Sequence, residues 1–189
     1  MTKEYSIIIS GFGGQGTLFA GQVLTYAAMD NGFQVTWIPS YGPEMRGGTA
    51  HCTVMISDSE IGSPVTRNPY AAIALNLPSV DKCENIVQQG GVLIANSSLM
   101  NRELVRSDIT GIMIPASEIA EQLGNKQMAN MVTVGALLAH LPVLSVEAIE
   151  KALKDHLPPN KQKWIPANSA AIRKGFEFAK EPIGSPTVY

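Results

Sequence analysis

The sequence predicts one α/β domain over residues 1–189, built on a mostly parallel, Rossmann-like sheet, and three observations carry that reading. Ile7-Ile8-Ile9 is an unbroken apolar run, as expected of a strand buried on both faces. It leads straight into a glycine-rich turn at Gly11–Gly16, and helical spacing follows from Thr17. Short apolar strands then alternate with helical patterns along the rest of the chain.

The elements follow in order. The first strand covers about 5–10. From 17 to 31, Leu18, Phe19, Val23, Leu24, Ala27 and Ala28 recur at helical spacing, and Asn31-Gly32 supplies a left-handed cap. Phe33–Ile38 is a second strand, ended by Pro39; this strand–helix–strand unit implies a parallel pair. A loop at 39–50 precedes a strand at His51–Ser57, where Cys52, Val54 and Ile56 alternate with Thr53, Met55 and Ser57. Asp58-Ser59-Glu60 is a turn. Ala71–Leu77 is a short strand stopped by Pro78, and a helix starts at Ser79 and runs to 89. Val92–Ala95 and Ile112–Ile114 are buried strands. Helices are expected at 117–123, at 129–141 and over Ser145–His156, the last capped by Ser145. A final helix at 167–180 is expected to be capped by Asn168, with an extended tail beyond.

Composition narrows the function classes. Hydrophobic residues make up 45% of the 189 and charged residues 16%, a globular balance on the apolar side. The net charge of −2 and the lack of a Lys/Arg cluster argue against a nucleic-acid partner. No apolar run reaches the ~18–20 residues that span a bilayer. The start lacks the apolar segment of a signal peptide, so a cytoplasmic location is expected. Cys52 and Cys83 stand 31 apart without metal-ligand spacing, and read as buried thiols; no metal or cluster site is expected in this chain.

Two segments carry the chemistry. Gly11, Gly13 and Gly16 match G-x-G-x-x-G, with Gly14 as an extra. Such a turn at a helix start points backbone N–H groups at an anion, and Gln15 could add an amide. A dinucleotide site would need an acid at the end of the second strand, yet none occurs before Glu44. Three readings stay open: a tight packing turn, a phosphate cradle for another cofactor, or a contact loop for a partner. The second segment runs from Ser40 to Thr49 and contains Arg46, Gly47 and Gly48. Arg46 is a fork-shaped donor suited to carboxylate or phosphate, with Glu44 as a candidate ion-pair partner. Both segments belong at the C-terminal edge of the sheet, where such folds bind ligands. His51 reads as a hydrogen-bonding strand residue, and no catalytic residue is assigned anywhere in the chain.

Taken together, these residues resemble the γ subunit of the 2-oxoacid:ferredoxin (or acceptor) oxidoreductases. The resemblance rests on Gly11-Phe12-Gly13-Gly14-Gln15-Gly16 and on Tyr41-Gly42-Pro43-Glu44-Met45-Arg46-Gly47-Gly48-Thr49-Ala50. It is extended by Ala74-Leu75-Asn76, by Asn130-Met131 with Gly135-Ala136-Leu137, and by Asn168–Gly175. His51 is a departure, since many relatives carry Asn there. The resemblance implies a three-layer α/β/α sandwich, similar to one domain of the single-chain pyruvate enzymes. It implies a multi-subunit oxidoreductase that decarboxylates a 2-oxoacid to an acyl-coenzyme A and passes electrons to ferredoxin. Thiamine diphosphate and Mg would sit on the β subunit, and iron–sulfur clusters on other chains such as a ferredoxin-like δ subunit, with an α subunit completing the complex. The implied substrates are 2-oxoglutarate or a branched-chain 2-oxoacid, with pyruvate behind them. On this reading the isolated chain is inactive, with a homodimer as its candidate state in isolation. Gly11, Gly13, Gly14, Gln15, Gly16, Arg46, Gly47 and Gly48 would face coenzyme A or the neighbouring subunits. The rival readings are a free-standing nucleotide- or flavin-binding oxidoreductase and a purely structural assembly subunit.

Overall fold

The computed structural model describes residues 3–42 and 47–180. Six strands form one mixed sheet: β1 (Glu4–Phe12), β2 (Gln34–Tyr41), β3 (Thr49–Ser57), β4 (Ala71–Ala74), β5 (Val92–Asn96) and β6 (Thr110–Ile114). The helices are α1 (Thr17–Asp30), α2 (Leu77–Ile86), α3 (Ala116–Gln122), α4 (Ala129–Leu138), α5 (Val146–His156) and α6 (Ile165–Lys180). Across the sheet the order is β2-β3-β1-β4-β5-β6. The strands β1, β4, β5 and β6 run parallel, whereas β3 is antiparallel to both β1 and β2.

That order corrects the expected pairing of the first two strands. They point the same way, but β3 lies between them. Burial explains the insertion. Cys52, Val54 and Ile56 of β3 are fully buried and demand an inner position, while Ile38 of β2 is 40% exposed and tolerates the edge. Nor does Pro39 end β2, which continues to Tyr41. Gly42 N donates to Thr49 O (3.4 Å), so in the alternating antiparallel ladder Pro39 turns its nitrogen to the free edge, where no donor is needed.

Two further boundaries shift. The strand expected at 71–77 stops at Ala74. Asn76 instead caps α2, its Oδ1 accepting from Ser79 N (3.0 Å), and Pro78 sits in the first helical turn where its missing N–H costs nothing. At the other end Asn168 does not cap the last helix. A 3₁₀ turn over Pro159–Trp164 runs directly into α6, so Asn168 lies one turn inside and donates its Nδ2 to Trp164 O (2.8 Å). Ser145 caps α5 as expected, its Oγ accepting from Ala148 N (3.1 Å).

The sheet divides the core into two layers, giving the three-layer sandwich. Ile7 and Ile9 face a broad apolar layer shared with α1 and α3–α6, whereas Ile8 faces a smaller one under α2. In the broad layer α4 and α6 meet backbone to backbone: a Cβ on Gly175 would lie 1.8 Å from Val132 O. Both cysteines are buried, and burial pushes their thiols up to about 11 for Cys52 and about 12 for Cys83. Such thiols are inert packing groups, as their spacing predicted. Among the described residues no helix is long and apolar enough to cross a membrane.

Candidate functional site

The neighbouring parallel strands β1 and β4 send their following helices to opposite faces, α1 into the broad layer and α2 into the small one. Above such a switch point a crevice opens at the C-terminal strand ends. The glycine segment lies there. Gln15 N donates to Phe12 O (3.0 Å), closing a tight turn whose third residue, Gly14, has φ +102°. Gly16, at φ +77°, starts α1.

The second glycine segment lies against the first. Gly13 N donates to Gly48 O (2.8 Å) and Gly47 N to Gly13 O (3.4 Å), so the β1–β3 ladder extends into both loops. Gly13, Gly14, Gly47 and Gly48 are thereby brought to one rim. Arg46 and its candidate partner Glu44 fall outside the described residues.

Gln15 turns inward. Its Oε1 accepts from Phe12 N (2.6 Å) and Asn76 Nδ2 (2.8 Å), and its Nε2 donates to Leu75 O (3.3 Å). Gly11 is buried beside it; a Cβ there would lie 2.8 Å from Gln15 Oε1 and 2.9 Å from Thr17 Cγ2. At Gly16 the constraint comes from α4: Asn130 Nδ2 donates to Gly16 O (3.1 Å) and would stand 2.3 Å from an added Cβ.

Beyond Gly14 and Gly16 the surface opens into a cleft of ≈280 Å³ where three helices begin. Phe19 comes from α1, Gln127 and Met128 from the approach to α4 and Asn130 from its first turn, and Lys161 and Trp164 from the approach to α6 and Asn168 from its first turn. The start of α1 has no side-chain cap, and its first helical bond is Ala20 N to Gly16 O (3.0 Å). The N–H groups of Thr17, Leu18 and Phe19 thus precede the ladder and carry the positive end of the helix dipole. Lys161 pairs with no carboxylate among the described residues, and no acid lines the cleft. Trp164, 43% exposed, and Phe19 supply flat apolar walls. Asn130 and Asn168 are buried amides at the cleft floor. A site of this kind attracts an anion joined to an apolar or aromatic body.

A smaller pocket of ≈160 Å³ continues from it past Phe19, Leu157 and Lys161 to Tyr26 and His156. His156 Nε2 lies 2.9 Å from Asp30 Oδ2, and its ring stacks flat on Tyr26 at 4.2 Å. His51 is on β3, half-buried; burial and then the Lys82 charge hold its imidazole below the ordinary range. His51 takes its place in the strand as read, but among the described residues its ring makes no hydrogen bond, so the hydrogen-bonding role is not seen.

Phe19, Gln127, Lys161 and Trp164 carried no site assignment in the sequence, because they come from segments far apart in the chain. One signal was present: Lys161-Gln-Lys-Trp164 after Pro158-Pro159 is a short basic and aromatic stretch with no acid.

The chain matches the pyruvate ferredoxin/flavodoxin oxidoreductase family over residues 6–178. It is 37% identical to the ketoisovalerate oxidoreductase subunit VorA of Methanothermobacter thermautotrophicus, covering 95% of this chain and only 37% of that one. It is 36% identical to the 2-oxoglutarate synthase subunit KorC of Methanocaldococcus jannaschii, covering 96% of both. Among solved structures it is similar to the keto/oxoacid ferredoxin oxidoreductase γ subunit of Geobacter sulfurreducens PCA, with 34% identity, a TM-score of 0.78, and coverage of 93% and 98%. The chain therefore belongs to the pyruvate ferredoxin/flavodoxin oxidoreductase family.

Proposed function

We propose that this chain is the γ subunit of a multi-subunit 2-oxoacid:ferredoxin oxidoreductase, and that it holds the phosphates of coenzyme A at the entrance to an active site built by its partners. The observation that carries this reading is the uncapped start of α1 beside Lys161, in a cleft that no acid lines among the described residues and that Trp164 and Phe19 wall. The full-length likeness to a 2-oxoglutarate synthase subunit, and the partial one to a ketoisovalerate subunit, support 2-oxoglutarate or a branched-chain 2-oxoacid as substrate.

In this reading thiamine diphosphate with Mg and the iron–sulfur clusters, held by the β, δ and other subunits, supply decarboxylation and electron transfer to ferredoxin. Among the described residues, no group of three or more His, Cys, Asp or Glu side chains could hold a metal ion. The chain's own residues bind and orient. Gly14 and the first N–H groups of α1 donate to phosphate oxygens, Lys161 adds a point charge, and Trp164 lies against the apolar or aromatic part of the ligand. Arg46, Gly47 and Gly48 form the second arm, on the loop that the Gly13–Gly48 bond ties to the turn.

The test uses the assembled complex. Lys161→Ala and Arg46→Ala should each raise KM for coenzyme A about five-fold, the worth of one charged contact near 1 kcal/mol, with KM for the 2-oxoacid unchanged. Unchanged coenzyme A kinetics in both variants, with assembly intact, would overturn the reading.

A further inference from the structure

We infer that Gln15 is a positioning residue: with Asn76 and Asn96 it fills the switch-point crevice from within, and sets the glycine turn for a ligand it does not touch. The coenzyme A part of this inference rests on the function proposed above; the filling of the crevice stands on geometry alone.

Four parallel strands end in one amide network. Behind β1 lies Gln15, bonded to Phe12 N, Asn76 Nδ2 and Leu75 O. Behind β4 lies Asn76, 3% exposed, whose Oδ1 is spent on Ser79 N (3.0 Å) at the start of α2. At the end of β5, Asn96 donates from Nδ2 to Leu75 O (3.4 Å) and to Ser117 Oγ (3.1 Å). Its Oδ1 accepts from Ala116 N (3.1 Å), the first residue after β6 and Pro115. Every bond agrees on one orientation of the Gln15 amide. Reversed, its NH₂ would face the Phe12 N–H and the Asn76 NH₂, donor against donor.

The network takes the place of a dinucleotide. In folds that bind one there, the first glycine makes the tight turn, the second lets a pyrophosphate approach the backbone, and the parallel strand beside β1 ends in an acid that grips the ribose. Here the space beside Gly11 is occupied by Gln15 Oε1, 2.8 Å from where a Cβ would stand. The strand beside β1 is antiparallel β3, which presents Thr49 and Ala50 at that edge and no acid. Gln15 and Asn76 thus fill the crevice beside Gly11, whereas Gly14, on the side of the cleft, has open space around it. An anion is directed outward, across Gly14 to the α1 start and Lys161.

Contact and positioning predict different behaviour for Asn76, which is buried behind Gln15. Asn76→Ser keeps a side-chain oxygen to cap α2 but removes the donor to Gln15. Gln15→Met keeps the volume and removes all three bonds. Coenzyme A dissociation constants are measured by calorimetry on the assembled complex for both variants and the double variant, with hydrogen exchange across residues 11–20. Positioning requires each single variant to weaken coenzyme A about five-fold and the double variant no more than either, because they act through one side chain. Exchange in the turn should rise in each, and KM for the 2-oxoacid should stay put. Weakening by Gln15→Met but not Asn76→Ser would mean that Gln15 touches the ligand, and would overturn the inference. So would unchanged exchange in either variant. If Lys161→Ala and Arg46→Ala weaken coenzyme A while both of these variants bind normally, the positioning role falls and the proposed function stands. If all four bind normally, the proposed function falls.

Discussion

The two faces of the sheet are held by different physics. On the face of α1 and α3–α6, 35 buried apolar residues form the cluster among the described residues, and α4 meets α6 at Gly135 and Gly175 with no side chain between the backbones. On the α2 face the corresponding cluster has eight. There the segment between β5 and β6 is fastened instead by charge. Glu84, buried on α2, accepts from Val105 N (2.5 Å) and Arg106 N (3.2 Å) and pairs with Arg102 (2.9 Å). Arg106 donates in turn to the carbonyls of Glu84 (2.9 Å) and Val87 (2.6 Å). A large apolar layer needs shape; a small one needs partners for every polar group it buries. The first should be sensitive to a methyl group and indifferent to pH, and the second the reverse.

The heaviest blow to the broad face is Gly175→Ala. The new Cβ would sit 1.8 Å from Val132 O and 2.8 Å from Val132 C, both backbone atoms that cannot swing aside. Either α6 lifts from α4 or the helix bends, and the expected loss is roughly 3 kcal/mol or more, at the upper end of overpacking effects. Gly135→Ala strikes the same seam from the other helix, 2.0 Å from Ile172 O, and should cost a similar amount. Thermal unfolding reads both. A Gly175→Ala protein with the parent Tm would mean that the helices are not in contact here.

The thin face should break through Glu84. Burial pushes its carboxyl up, but the N–H groups of Val105 and Arg106 and the Arg102 guanidinium outweigh this and hold it below the ordinary 4.5. A carboxyl depressed in the folded state adds stability that is present above its unfolded pKa and fades as pH falls through the folded value. Glu84→Gln should therefore cost about 2 kcal/mol at pH 7, where a charged acceptor of two backbone N–H groups becomes neutral. Below about pH 4.5 the parent and variant unfolding curves should converge, because the parent loses the same charge by protonation. A constant gap from pH 7 to 3 would show that the carboxylate's charge is not what holds the segment.

The difference between the faces also explains what the sequence disclosed. Periodicity reported the broad face well, since Leu24, Val54, Met131 and Leu137 are apolar at the right spacing and became core. It located the glycine turn, and the adjacency of that turn to Gly47 and Gly48 follows from the pairing of β1 with β3. It could not report pairing. β3 alternates as cleanly as an edge strand would, and its inner place is decided by competition with β2 for burial, a comparison no local window contains. The cleft was illegible for a related reason. Lys161 and Trp164 are more than a hundred residues from Gly14, and polar residues after a proline pair resemble any solvated loop. Gly135 and Gly175 are forty apart and form no motif, though a Cβ at either would lie within 2.0 Å of a backbone oxygen of the facing helix.

The smallest effect belongs to a charge on the broad face. Lys151 and Asp155 of α5 stand four apart and approach to 2.6 Å, closer than Arg102 and Glu84 at 2.9 Å. Ranked by distance, this would be the stronger pair. Ranked by surroundings, it is far weaker, since 67% of the lysine side chain and 49% of the aspartate remain open to water, against 3% for Glu84. Water solvates both ions once they part, salt screens their attraction, and holding two flexible side chains together costs rotamer freedom. Lys151→Ala should leave Tm unchanged within error at pH 7, and adding salt should not separate it from the parent. A loss approaching that of Glu84→Gln would mean that charge braces both faces alike. The contrast between a face held by shape and a face held by buried partners would then fail.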